Sequence, residues 1–330
     1  MNLPGALVLT AGLGTRLRPL TYVRAKAAVP VNGETLARRV VRWLSGQGVR
    51  DLVLNLHHLP ETITASVGDG SDLDSRVRYT WEQPVLGSAG GPRRALPLLV
   101  GSDPGPRIPD PGSSSPFIIV NGDTLTDVDL PAMLAVHAAS DALVTMALIP
   151  NPRPEQYGGV RVSGGRVTGF TRAGAPGDSY HFIGVQIAER RAFTGLDDGV
   201  PAETVNSLYP RLISGDPASI AAFTCTAAFR DIGTASDYLN TSVELAAIEG
   251  DRMAGGDRVE IAPSARIVRT AVWDDVTIGR DAELIECIVC DGARVPDGAR
   301  YARCAIVPAG SRIADTGERI EAGLLIKPID

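Results

Sequence analysis

The chain has 330 residues, 44% of them apolar, enough to bury a large core and long enough for two domains. A net charge of −6 and a pI near 5.4 argue against a nucleic-acid partner or an anionic membrane surface, since both call for a basic face. No apolar run nears the ~20 residues that span a bilayer, no basic region precedes the apolar N-terminal stretch, and four cysteines are too few for a disulfide scaffold. The expectation is a cytoplasmic protein with reduced thiols and small-molecule substrates.

In chain order, a short apolar run at Ala6 to Thr10 is followed by a helix with Leu36, Val40, Val41 and Leu44 on one face. Further strands are predicted at Asp51 to Leu56, Val77 to Glu82, Phe117 to Asn121 and Ala142 to Ile149, and helices at Ala89 to Leu99 and Leu130 to Ser140. This βαβ rhythm predicts an α/β domain with a Rossmann-like sheet, mostly parallel in this half. Gly101 to Pro116, rich in Gly, Pro and Ser, reads as a mobile surface loop. Val160 to Val162 and Arg166 to Phe170 form a predicted hairpin around Gly164 and Gly165, and Tyr180 to Ala188 another strand, making the sheet mixed overall. Thr234, with Asp237 three positions on, starts a closing helix to Glu249. The expected division is a first domain over 1–249, a linker over 250–258 and a second domain over 259–330.

Three rows of 17 residues stack in the second domain, starting at Ile261, Ile278 and Val295. Each has alanine at its fifth place (Ala265, Ala282, Ala299) and a bulky residue at its seventh (Ile267, Leu284, Tyr301). Steps of six, five and six suit a three-sided parallel β-helix, which buries aligned apolar ladders coil on coil. Cys287 and Cys290 form a CxxC pair, but Thr270, Cys287 and Cys304 recur at one place in successive rows and no histidine is present in the tail. Core stacking therefore explains them better than zinc.

Gly12 and Gly14, straight after the first strand, can turn the backbone tightly and expose N–H groups to an anion. Residues 1–33 carry four cations (Arg16, Arg18, Arg24, Lys26) and no carboxylate, inside a chain that is net acidic. Only Lys26 and Lys327 are lysine among 32 basic residues. Arg16 can fork onto triphosphate oxygens and Lys26 offers a compact ammonium for a phosphoryl group. A dinucleotide-binding loop is disfavoured because Leu17 takes the third glycine position, and a P-loop because no Gly-Lys-Ser/Thr follows. Asp123 follows the apolar strand FIIVN, at the edge where open α/β sheets bind ligands, and Asp231 follows another apolar stretch.

GLGTRLRPLT with Lys26 and Val29-Pro30-Val31 resembles the signature of the sugar-phosphate nucleotidylyltransferases, also called NDP-sugar pyrophosphorylases. LGSAGG at Leu86 to Gly91 resembles the nucleotide-base loop of their guanylyl- and uridylyltransferase branches, Asn121-Gly122-Asp123 the first metal motif, and Arg230 to Gly233 the second. The likeness is nearest to mannose-1-phosphate guanylyltransferase-like members, which end in a hexapeptide-type left-handed β-helix. It implies transfer of a nucleotidyl group from an NTP to a sugar 1-phosphate with release of pyrophosphate, GTP and mannose 1-phosphate being favoured over UTP or dTTP. By the same resemblance, Ala11, Gly12, Gly14, Thr15, Arg16, Glu82, Gly87, Ser88 and Ala89 bind the nucleotide. Lys26, Gly158, Arg172 and Gly184 face the sugar phosphate, Asp123 and Asp231 hold Mg²⁺, and Arg16, Lys26 and Asp123 carry catalysis. The β-helix is expected to mediate homo-oligomer assembly. Two segments depart from the family pattern: FTRAG at Phe170 to Gly174 replaces Glu-Lys-Pro, and Phe182-Ile183-Gly184 replaces Asn-Ala-Gly. These departures keep open a non-catalytic regulatory subunit that binds nucleotide sugar.

Overall fold

The computed structural model describes residues 3–99 and 116–329, so most of the loop expected at Gly101 to Pro116 lies outside the described residues. The chain forms two compact units, one of Met1–Gly12, Arg38–Pro60 and Val67–Arg230, the other of Leu13–Ala37, Glu61–Ser66 and Asp231–Asp330. The phosphate-type loop from Leu13 therefore belongs with the C-terminal unit, although its glycine Gly12 ends the first segment of the other.

The first unit is built on a nine-stranded sheet. Its strands are β1 (Ala6–Leu9), β2 (Asp51–Leu56), β3 (Arg76–Trp81), β4 (Pro116–Asn121), β5 (Val144–Pro150), β6 (Gly159–Ser163), β7 (Arg166–Thr171), β8 (Tyr180–Glu189) and β9 (Ile220–Thr224). They lie in the order β3-β2-β1-β4-β8-β5-β9-β7-β6. Strands β3, β2, β1 and β4 run parallel, whereas β8 lies antiparallel between β4 and β5, and β7 antiparallel between β9 and β6. The sheet is thus mixed, its parallel half written in the early βαβ rhythm and its antiparallel half in the β6–β7 hairpin. Helices α1 (Leu36–Gly46), α3 (Gly87–Ala95), α4 (Leu130–Ala138) and α5 (Tyr209–Gly215) connect or cover the strands, while α2 (Pro60–Val67), between β2 and β3 in the chain, lies largely in the second unit. The core of this unit joins Leu7, Val53, Phe117, Ile119, Met146, Leu148, Phe193 and Tyr209, all at most 1% exposed.

In the second unit, α6 (Ala235–Glu249) opens with a reciprocal capping box between Thr234 and Asp237, the device its sequence announced. Beyond it, three short parallel sheets rise with a constant 17-residue register: Ile261 to Ile278 to Val295, Ile267 to Leu284 to Tyr301, and Ala271 to Ile288 to Ala305. The predicted apolar ladders fill the coil, with Ala282, Leu284, Cys287, Val289 and Ile306 at most 1% exposed. Thr270 donates to the Val268 carbonyl at 2.9 Å, Cys287 to Ile285 at 3.4 Å and Cys304 to Ala302 at 3.1 Å. One rung chemistry thus repeats, and burial pushes the Cys287 thiol up to about 11, so it is an inert core group. The third coil is closed by an antiparallel strand, Leu324–Pro328, paired to Cys304–Pro308.

Candidate active site

At the carboxyl end of the sheet, β1 and β4 run side by side with Leu9 opposite Asn121. The Gly122 amide donates to the Leu9 carbonyl at 3.0 Å. That pairing brings Ala11 and Gly12, leaving β1, next to Asp123, leaving β4. The turn after β1 is braced from the neighbouring strand: Asn55 Oδ1 accepts from the amides of Thr10 (2.6 Å) and Ala11 (3.3 Å), and Asn55 Nδ2 donates to Glu82 Oε1 at 2.7 Å. Glu82 Oε2 accepts from the Leu86 amide at 2.8 Å. With Glu82 fully buried, both its oxygens are spent on holding the Ala11 and Gly87 loops. Its geometry is that of a positioning residue rather than a nucleotide contact.

The Gly87–Ala89 turn docks on the segment at Ala202 to Thr204. Ala89 donates its amide to the Ala202 carbonyl at 2.9 Å, and Ser88 Oγ donates to Glu203 Oε2 at 2.6 Å. Gly87 takes φ +75, and a Cβ there would lie 2.8 Å from the Ala202 carbonyl and collide with the Glu203 carboxylate. Glu203, which sequence reasoning missed, is an exposed carboxylate beside this turn. Its signal was absent from the motif because it comes from 115 residues further along the chain.

On the sugar side, Gly184 at φ +78 lets β8 pass against Asn121, whose side chain would sit 2.7–2.9 Å from any added Cβ. Gly158 is exposed and its carbonyl accepts from the His181 ring. His181 packs against Tyr157 at 4.5 Å and Phe229 at 4.7 Å between centroids, while Arg153 stacks on Tyr157. Its Nδ1 is buried without a hydrogen-bond partner among the described residues. Burial holds this imidazole below its usual value, so the ring is neutral near pH 7. This aromatic trio was not legible in the sequence, because its members lie on three separate segments. Arg172 is exposed, in the turn that follows β7.

In the second unit, Gly14 at φ +60 folds the loop back on itself: an added Cβ would lie 2.7 Å from Thr21 Cγ2 and 3.1 Å from Lys26 Cβ. Thr15 and Arg16 are exposed and Lys26 half-buried. Arg16 Nη1, Asp231 Oδ2 and Asp237 Oδ2 all lie beside Gly233, 3.1, 3.3 and 3.3 Å from where its Cβ would be. Asp231 and the arginine loop thus meet within one unit, as Asp123 and the Ala11-Gly12 turn do in the other. One of the four loop cations has a different job. Arg24 Nε donates to Asp291 and Nη2 to Asp274, both at 2.6 Å, with the guanidinium 5.4 Å from the Trp273 ring centre. Burial pulls its pKa down, but Asp291 and Asp274 outweigh that and raise it. Arg24 therefore fastens the loop to the coil, and the cationic loop is less charged than its sequence suggested. Among the described residues no group of three or more His, Cys, Asp or Glu forms a metal-binding cluster, and no helix is long and apolar enough to cross a membrane.

Residues 5–247 match the family described as Nucleotidyl transferase. The chain is 27% identical over 314 residues to a mannose-1-phosphate guanylyltransferase of Mycobacterium tuberculosis, covering 91% of this chain and 82% of that protein. It is 25% identical over 346 residues to a UTP–glucose-1-phosphate uridylyltransferase of Synechocystis, covering 94% and 86%. Among solved structures, HddC from Yersinia pseudotuberculosis in complex with GMP-PN has a TM-score of 0.61 at 22% identity, over 74% of this chain and 100% of that one. A family match over residues 5–247 of 330, on a mixed α/β sheet of the same kind, places the chain by descent: it belongs to the nucleotidyl transferase family.

Proposed function

We propose that the protein transfers a nucleotidyl group from an NTP to a sugar 1-phosphate, giving an NDP-sugar and pyrophosphate, with GTP and mannose 1-phosphate as the preferred pair. The observation that carries this is the arginine loop meeting Asp231 at Gly233, in a chain whose relatives act on sugar 1-phosphates with GTP or UTP. Asp127, four residues past Asp123, accepts from the Ala228 amide at 2.7 Å and so braces the segment that follows Asp123. Mg²⁺ is commonly held by one or two carboxylates plus substrate phosphates, so a pair of aspartates without a third protein ligand fits it. When bound, the ion would neutralise phosphate charge. Arg16 binds the triphosphate and the departing pyrophosphate, and Lys26 aligns the attacking sugar phosphate; holding the reactants in line is the main catalytic contribution of the chain.

Ala11, Gly12, Gly14 and Thr15 line the triphosphate, and Gly87, Ser88 and Ala89 the base. Gly158, Arg172 and Gly184 border the sugar. The Glu203 carboxylate beside Gly87 favours guanine, because it can accept from N1–H and the 2-amino group together, a donor pair that uracil and thymine lack. We further read residues 1–249 as the catalytic domain, 250–258 as linker and 259–330 as a left-handed, hexapeptide-type coil. Self-association is assigned to that coil, whose exposed apolar side chains include Ile261, Ile313 and Ile320.

A pyrophosphate-release screen of four triphosphates against several sugar 1-phosphates tests the reading. Release with GTP and mannose 1-phosphate above all others is expected. No release with any pair, despite binding of a nucleotide sugar, would make the protein a regulatory subunit instead.

A further inference from the structure

The second unit holds a cavity of about 200 Å³ lined by Arg16, Arg18, Ser236 and Lys327, with Thr234 and Ala305 among the remaining walls. No carboxylate is among the lining residues, and among the described residues none of the three cations forms an ion pair. Elsewhere the same unit neutralises its arginines systematically. Arg258 pairs with Asp275, Arg266 with Glu283, Arg269 and Arg303 with Glu286, and Arg280 with Asp297, always one coil away. Lys327, the single lysine of the tail, stands outside that scheme on the closing strand, opposite the cavity residue Ala305.

One of the cations, Arg18, is also held in place. The Arg18 guanidinium lies 5.5 Å from the Tyr22 ring centre, and Arg312 covers the same ring at 5.2 Å while donating to the Tyr22 carbonyl. The nearest acid along α6, Asp237, turns its Oδ2 back onto the Thr234 amide and hydroxyl, at 2.9 and 2.8 Å. The Ala235 and Ser236 amides, in the unpaired first turn of that helix, add donors to the wall. Three like charges gathered at one cavity repel one another, and an oxyanion bound among them removes that penalty. A water's share of liquid volume is about 30 Å³, so the cavity has room for a phosphate group.

We propose that this cavity is a binding site for a phosphate group, either inorganic phosphate or the phosphate of a small metabolite. Binding draws on Arg16 as well as Arg18 and Lys327. If Arg16 serves the triphosphate, which rests on the function proposed above, occupancy of the cavity competes for it and lowers turnover. The binding itself does not depend on that reading.

The test is calorimetric titration of inorganic phosphate and of a hexose 6-phosphate into the full-length protein at fixed ionic strength, without divalent metal. Lys327→Gln removes one cation, Lys327→Arg keeps it, and Ser236→Glu puts a carboxylate into the wall at a helix position where an acid is favourable to folding. Lys327→Gln and Ser236→Glu are expected to weaken phosphate binding about tenfold or more, with Lys327→Arg within about threefold of the native protein. The tighter of the two ligands identifies the source of the phosphate. Equal binding by native protein and Lys327→Gln, or no binding by native protein at about 20 mM phosphate, overturns the proposal. Pyrophosphate release measured in phosphate-free buffer separates the two readings. A protein that binds phosphate in the expected pattern but releases no pyrophosphate upholds this site while removing the catalytic one.

Discussion

The coil and the carboxyl edge of the sheet both stack parallel strands, yet they spend their side chains in opposite ways. In the coil each residue meets its counterpart 17 positions on, so charge meets charge, as Arg280 meets Asp297, and sulfur follows hydroxyl, as Cys287 follows Thr270. Along those rungs the side chains satisfy one another, and Lys327 on the closing strand stands outside the pattern. At the sheet edge the order is interrupted: Gly184 and Gly87 hold positive φ against Asn121 and Glu203, and exposed or half-buried polar groups collect around the turns. Regular pairing satisfies polar groups internally, whereas a binding site needs some held open.

Substitutions can break or sharpen that contrast. The largest effect is expected at the edge: Asp123→Ala should lower turnover at least about a hundredfold in a pyrophosphate-release assay while urea unfolding stays unchanged. Near-normal turnover would remove Asp123 from the chemistry. Next comes the fastening between loop and coil. Arg24→Ala leaves Asp274 and Asp291 without their partner and should cost about 2 kcal/mol in urea-measured stability, less than a fully buried pair because the aspartates are a quarter to a third exposed. A variant as stable as the native protein would show that the loop is held some other way.

A smaller effect is set by the buried imidazoles. His137 and His181 are both held below their unfolded value by burial, against the pull of Glu189 in the first case and Gly158 in the second. A depressed histidine favours folding while neutral, so that contribution is complete above about pH 6.5 and is lost as pH falls through the window beneath it. Each histidine can add at most about 1.4 kcal/mol per pH unit to the acid slope. Stability measured from pH 7 to pH 5.5 should fall for the native protein and fall less for His137→Gln; identical slopes would rule this out. The smallest effect belongs to the coil. Cys287→Val keeps the position apolar but loses the donor to the Ile285 and Tyr301 carbonyls, an expected cost of about 1 kcal/mol with turnover unchanged.

Much of this was readable before any coordinates. The 17-residue rows, the Thr234 capping box, and the strand at Asp51 to Leu56 appear where the sequence put them, because each depends on neighbours in the chain or on a fixed period. The four motifs of the candidate site were equally local and therefore visible. Glu203 beside Gly87, the trio of Tyr157, His181 and Phe229, and the cavity shared by Arg16 and Lys327 were not visible, since each joins residues from distant segments without a spacing rule. Arg24 was read as part of a cationic loop, and only its partners in the coil revealed it as an anchor.

By itself, then, the sequence determined the strand and helix periods, the coil repeat and which short motifs lie together along the chain, because periodicity and turn chemistry act over a few residues. Which charges are neutralised and which stay available was decided by tertiary structure alone. An ion pair or a lined cavity depends on through-space distance, and Arg24 reaches Asp291 across 267 positions of chain.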